Sequence, residues 1–223
     1  MADVVGVAAG RLDLVCLPSL AVQPVAELVG RFRRAHPGVT VRLVEPEDTA
    51  AVVERVRSGR SELGFTELPS RADVVEVALE THDYVALVPP GAPPASGDGP
   101  VALADLARQP LVTTPPGTST RRLVDEALSA AGAAPTIAVE TDHREAIGPL
   151  VVAGAGVALV PRRLAQTSAA AAGALVRDVD PPIGRSVGLI HRSGPLSPAA
   201  GAFLALAAPD APVPDSRPRA RRR

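Results

Sequence analysis

With 223 residues, 46% hydrophobic and only 2% aromatic side chains, the chain can fill one large α/β domain or two lobes of about 100 residues each, and its core must be packed from aliphatic groups. The formal charge of −1 conceals an asymmetry: the tail from Pro209 holds Arg217, Arg219, Arg221, Arg222 and Arg223 against Asp210 and Asp215, leaving the body at about −4, a poor sign for gripping nucleic acid through its phosphates. There is no lysine, which excludes Schiff-base and phosphate-loop chemistry, and neither an apolar run of ~18 residues nor a secretory leader in residues 1–11, so a cytoplasmic protein with no membrane contact is expected.

Residues 12–17 read as a buried strand holding the lone Cys16 as a structural thiol. After Pro18 the period becomes helical, with Val25, Leu28, Val29 and Phe32 on one face, and Ser19 or a neighbour opening the helix. His36-Pro37-Gly38 ends it. Val39, Val41 and Leu43 then alternate as a strand, and a second helix follows with Thr49 as N-cap, Val52, Val53 and Val56 on its apolar face, and Gly59 as its stop. Residues 63–66 give the next strand, so the opening is β-α-β-α-β, the signature of a mostly parallel sheet covered by helices.

Residues 74–79 and 84–88 suggest two further strands, and the Pro/Gly-rich stretch 89–100 suggests a loop near a crossover between lobes. The α/β theme then repeats. A strand at 111–114 leads through Pro115-Pro116-Gly117 into a helix from about Ser119, with Leu123, Val124, Ala127 and Leu128 before Gly132. A strand at 136–139 precedes a helix opened by an Asp142 to Glu145 capping box. Gly154 and Gly156 end that helix, and 157–160 form a short strand stopped by Pro161. Residues 169–172 are helix or loop, 186–191 a strand, and Ser197-Pro198 a cap and first-turn proline before Phe203, Leu204 and Leu206.

The catalytic signatures G-x-S-x-G, C-x-x-C, H-E-x-x-H and G-x-x-x-x-G-K-[ST] are absent. His36, His82, His143 and His191 have no ligand spacing, so no metal is expected. Gly154-Ala155-Gly156 follows a helical pattern rather than a strand and has Leu159 at the third glycine position, so no cofactor is expected either. What recurs instead is a strand running into a helix whose first turn carries Ser19, Thr49, Thr118 with Ser119, or Thr141 with Asp142. Each is an ordinary cap taken singly. In a parallel sheet, however, those helix starts line one edge, and two facing lobes would aim N–H groups and hydroxyls at one cleft suited to a small anion.

Several segments resemble the effector-binding domain of LysR-type transcriptional regulators. Gly10-Arg11-Leu12 is similar to the family's junction between linker helix and sensor. Residues 32–39, Phe-Arg-Arg-Ala-His-Pro-Gly-Val, resemble F-x-x-x-[HY]-P-x-V. Residues 59–65 resemble G-x-[LI]-D-[LA]-[GA]-[FI], with Ser61 for an aliphatic residue and Glu62 for Asp. Residues 151–161 resemble V-x-x-G-x-G-[IV]-[AG]-x-[LI]-P, and 196–204 the family's last helix.

The resemblance implies a type 2 periplasmic-binding-protein fold: two Rossmann-like lobes joined by two crossover strands near 86–90 and 188–192. Lobe I would comprise 11–88 and 190–208 and lobe II 89–189, with 1–10 a remnant of the linker helix and 209–223 a disordered basic tail. It implies a ligand sensor rather than an enzyme, with effector contacts at Pro18, Ser19, Thr49, Thr113, Thr114, Gly117, Thr118 and Thr141, and Pro161 flanking the cleft. The expected effector is a small organic acid. The expected partner is a second copy of the chain, with DNA reached only through a helix-turn-helix domain that this sequence does not include. The alternatives are a solute-binding protein serving a transporter, which calls for a leader or anchor, and an enzyme on the same fold, which calls for a convergent acid–base pair.

Overall fold

The computed structural model describes residues 9–91, 99–132 and 134–210; the expected linker remnant and basic tail lie almost wholly outside them. The chain divides into two compact units, the first drawn from residues up to Glu80 and from Ser186 onward, the second being Thr81–Arg185.

The first unit begins with β1 (Gly10–Cys16), whose Leu12, Leu14, Val15 and Cys16 are all fully buried. One helical turn, α1 (Pro18–Leu20), follows with Pro18 as its first residue and Leu17 as its cap. The helical period seen in the sequence does not make one continuous helix. A wide π turn (Ala21–Val25) intervenes because Gln23 is extended (φ −157°, ψ 134°) ahead of Pro24, and α2 (Ala26–Ala35) starts only after it. A proline's missing N–H and the bias it imposes on the preceding residue account for the break.

Strand β2 (Val39–Val44), helix α3 (Thr49–Arg57) and strand β3 (Leu63–Glu67) complete the predicted β-α-β-α-β. β1 pairs in parallel with both β2 and β3. The two strands expected at 74–79 and 84–88 are one, β4 (Val75–Val88): the polar residues between them interrupt hydropathy but not backbone pairing.

In the second unit, β5 (Val101–Ala102) and α4 (Leu103–Leu106) lead to β6 (Leu111–Thr113), α5 (Ser119–Ala130), β7 (Ile137–Glu140), α6 (Arg144–Val152), β8 (Ala158–Pro161) and α7 (Arg162–Ala172). The alanine-rich stretch is therefore helix. β9 (Leu175–Arg177), β10 (Val179–Asp180) and β11 (Ile183–His191) follow. β6 runs parallel to β7 and bridges in parallel to Val157, just before β8. β4 pairs antiparallel with β8 and β9. Alternate residues of β4 feed two apolar clusters: Ala86 and Val88 meet α4 and α5 residues, while Val85 and Leu87 meet those of α6 and α7. Gly156 (φ +148°) is required here, because a Cβ would collide with the Pro110 carbonyl. That collision explains the second glycine of the 151–161 motif without any ligand.

The chain returns to the first unit along β11, whose Val187–His191 segment pairs antiparallel with β3. α8 (Pro198–Ala207) closes that unit, capped as expected by Ser197, whose Oγ accepts from Ala200 N at 3.1 Å. Phe203 of α8 stacks against Phe32 (centroids 5.2 Å) and edge-on to Phe65 (6.1 Å), so all three phenylalanines of the chain meet in the first unit's core. Among the described residues, no helix is long and apolar enough to cross a membrane.

Cys16 lies in that core, and burial, with a smaller push from Glu45, raises its thiol pKa from 9.0 to about 12. A neutral thiol in the fold and an ionisable one in the unfolded chain make its contribution to stability complete below pH 9 and lost as pH rises from 9 towards 12. The native protein is expected to resist a thiol-specific chromogenic reagent at pH 8 and to react only as urea unfolds it, and Cys16→Ala is expected to remove part of the alkaline loss of stability. Labelling of the folded protein at the rate of a free thiol would contradict this placement.

Candidate functional site

Parallel pairing brings the ends of β1, β2 and β3 to one edge of the first unit, and the ends of β6, β7 and β8 to one edge of the second. The predicted residues fall on these two edges. Pro18, Ser19 and Thr49 belong to the first; Thr113, Thr114, Gly117, Thr118, Thr141 and Pro161 belong to the second.

On the first edge the cap of α3 is Asp48, not Thr49: the Asp48 carboxylate accepts from Ala51 N at 2.8 Å. Asp outranks Thr as an N-cap, and here the cap falls one residue earlier. Thr49, the first helical residue, instead donates to Glu67 Oε1 (2.9 Å) and accepts from Thr66 Oγ1 (3.1 Å). The hydroxyls of the buried Thr66 and of Thr49 thus form a chain that ends on a carboxylate. The start of α3 is lined by the protein's own acids, Asp48 and Glu67, which makes it a poor seat for a second anion. Ser19 lies inside α1 and does not cap it.

The second edge has the opposite character. Thr118 caps α5 as predicted, accepting from Arg121 N at 3.1 Å, and its hydroxyl donates to Pro115 O at 3.0 Å. With that proton committed, the 2.7 Å contact between Thr114 and Thr118 requires Thr114 to be the donor. Both predicted hydroxyls are therefore spent on building the turn, which Gly117 closes with φ +89°. The hydroxyls that remain are those of Ser119 and Thr120, each 3% exposed and without a hydrogen-bond partner among the described residues. Sequence reasoning valued Ser119 only as part of the cap and passed over Thr120; their signal was the run Thr118-Ser119-Thr120 at a helix start.

Arg121, also missed, binds Asp125 (2.9 Å), Glu140 (2.6 Å) and the Thr114 carbonyl (3.3 Å), joining the first turn of α5 to the end of β7. Burial pulls its pKa down, but the hydrogen bonds and charges of Glu140 and Asp125 outweigh it and the net direction is up.

Thr141 donates its backbone N–H to Thr113 O (3.0 Å), which ties the ends of β6 and β7, and its hydroxyl accepts from His143 N (3.1 Å). The expected Asp142 capping box does not form. His143 is the cap of α6 and makes no side-chain cap bond, because Thr141 has already folded the preceding turn. Pro161 ends β8 and pairs with Tyr84. Among the described residues no group of His, Cys, Asp and Glu is arranged to hold a metal ion.

The profile of the LysR substrate binding domain matches residues 6–211. The chain is 36% identical over 197 residues to the phosphonates import ATP-binding protein PhnC of Anaeromyxobacter dehalogenans, covering 83% of this chain and 38% of that protein. It is 31% identical over 215 residues to the HTH-type transcriptional regulator IlvR of Caulobacter vibrioides, covering 92% and 70%. Two solved structures share the fold. The regulatory domain of CcmR from Synechocystis PCC6803, in complex with 2-PG, gives a TM-score of 0.79 at 20% identity (92% and 100% of the two chains). The effector-binding domain of QuiR, in complex with shikimate, gives 0.77 at 21% identity (91% and 97%).

The division of labour among the hydroxyls has a measurable result. Thr118→Val removes the cap of α5 and is expected to cost about 1 kcal/mol in urea unfolding. Ser119→Ala removes a buried hydroxyl with no partner and is expected to leave the unliganded protein as stable or slightly more stable. A loss above 1 kcal/mol for Ser119→Ala would show that this hydroxyl serves the fold.

Proposed function

We propose that this chain, which belongs to the LysR substrate binding domain family, binds a small anionic effector at the strand-end edge of its second unit and so reports its concentration to a transcription apparatus. The observation that carries the reading is the pair of buried, partnerless hydroxyls at the start of a 12-residue helix, where backbone N–H groups and the helix dipole favour negative charge. In this reading Thr113, Thr114, Gly117, Thr118, Thr141 and Pro161 shape the site, while Ser119 and Thr120 donate to the ligand. Pro18, Ser19 and Thr49 serve the same effector. At the acid-lined start of α3 they meet a hydrogen-bond donor of the ligand, not its charge.

The complexes of QuiR with shikimate and of CcmR with 2-PG support a small-molecule effector, and the likeness to IlvR supports a role in transcription. The protein acts as a homodimeric, cytoplasmic sensor without enzymatic activity, and DNA is reached through a helix-turn-helix domain. Ligand control then requires only that the effector bind two arrangements of the protein unequally. A second reading, favoured by the 36% identity to PhnC, places the same site in a transport-linked protein. An effector-dependent change in operator affinity decides for the first.

A panel of small carboxylates, phosphates and phosphonates is expected to contain at least one compound that raises the melting temperature, since a ligand at 100-fold its Kd adds about 2.7 kcal/mol. Ser119→Ala and Thr118→Val are expected to shrink that rise without unfolding the protein. A panel with no effect on the wild type, or a rise unchanged in both variants, would remove the site from this edge.

A further inference from the structure

The second unit carries another polar group at the same edge, made of residues far apart in sequence. Tyr84 lies next to Pro161 in the β4–β8 pairing. It is 2% exposed, and its hydroxyl has no hydrogen-bond partner among the described residues. Arg185 of β11, 7% exposed, places its guanidinium carbon 5.4 Å from the centre of the Tyr84 ring. Arg144 is the first residue of α6, whose start has no side-chain cap, and on that turn Asp142, His143 and Glu145 point to solvent. Burial pulls the pKa of Arg185 down, the Tyr84 phenol opposes this, and the charge of Arg144 pulls it further down, so the two guanidinium groups are close enough to feel each other.

Bringing two like charges together beside a buried phenol is costly for the fold on its own. An oxyanion held there offsets the cost three ways: it accepts from the phenol, lies against guanidinium donors and faces free N–H groups of α6. Aromatic contact with Arg185 fixes the plane of its fork.

We propose that Tyr84, Arg185 and Arg144 form a receptor for one oxyanionic group of the effector, a carboxylate or a phosphoryl or phosphonyl group. The proposal rests on the effector-binding reading above and adds to it that the ligand is selected for a full negative charge. A helix start with hydroxyls accepts neutral polyols as well as anions; buried guanidinium groups beside a phenol do not.

The test is calorimetric titration of the full 223-residue chain with inorganic phosphate, methylphosphonate, succinate and the uncharged polyol erythritol, at low and moderate salt. It uses the wild type, Tyr84→Phe, Arg185→Gln, Arg185→Lys and Ser119→Ala. One of the three anions is expected to bind and erythritol is not, and which anion binds separates a carboxylate ligand from a phosphoryl or phosphonyl one. Tyr84→Phe is expected to weaken binding about ten- to a hundred-fold, because it removes a hydrogen bond to a charged group, while leaving the unliganded melting temperature unchanged or higher. Arg185→Gln is expected to abolish binding and Arg185→Lys to restore part of it. If Arg185→Gln fails to fold, Tyr84→Phe decides, since it deletes one oxygen. An anion that is lost in Ser119→Ala but bound equally by wild type, Tyr84→Phe and Arg185→Lys overturns this receptor and leaves the effector site standing. Equal binding of erythritol overturns the charge selection. Binding of none of the four probes, together with a silent panel in the melting experiment, removes both.

Discussion

Strand direction is the constraint from which the chemistry of this protein follows. Because β1, β2 and β3 run the same way, and β6, β7 and β8 likewise, each of the connecting helices α3, α5, α6 and α7 must start at the edge where a strand has just ended. A dozen polar residues distant in sequence are thereby delivered to two edges. The edges then diverge in charge. In the first unit Asp48 and Glu67 take up the helix start and its threonines, whereas in the second the helix starts meet hydroxyls and guanidinium groups.

The scarcity of rings makes the placement of each one informative. Phe32, Phe65 and Phe203 are all spent on holding α2, β3 and α8 together, and the clusters of the second unit are wholly aliphatic. Tyr84 is the single tyrosine in the chain, and it is not in any of these clusters. Its ring lies under Arg185 instead. A core made of Val, Leu and Ala packs as densely as any other, so the chain can do without aromatic mass in the second unit and keep its one phenol for a polar task.

Much of the fold was legible because period and punctuation are local properties. The opening β-α-β-α-β, the helix starts at Thr118 and Ser197 and the stop at Gly156 follow from neighbours within four residues. The failures came where two local rules competed or where the partner was remote. At 48–49 two adjacent residues could both cap, and the sequence does not say which is extended. At 141–145 a threonine turn displaced an acid cap. At Gln23-Pro24 an apolar period ran across a break it could not reveal. Strand β4 looked like two because its middle is polar on both faces. The hydroxyls of Ser119 and Thr120 could be seen but not ranked, since whether a cap's proton is already committed depends on the Pro115 carbonyl. Arg185 and Tyr84, about a hundred residues apart, left no pattern at all, and a single arginine in a strand gives no hint that it is buried.

The first unit is discontinuous in sequence, and this bears on how the protein is made. As the chain leaves the ribosome, residues up to Glu80 emerge first and find neither β11 nor α8 to complete their layer. Thr81–Arg185 is contiguous and has all its own strands and helices before synthesis ends. Vectorial synthesis therefore favours the later-emerging unit as the first to mature, while Phe32 and Phe65 wait for Phe203 with their faces uncovered. During that interval the nascent chain presents its largest apolar surface, and it is then that a chaperone has most to hold.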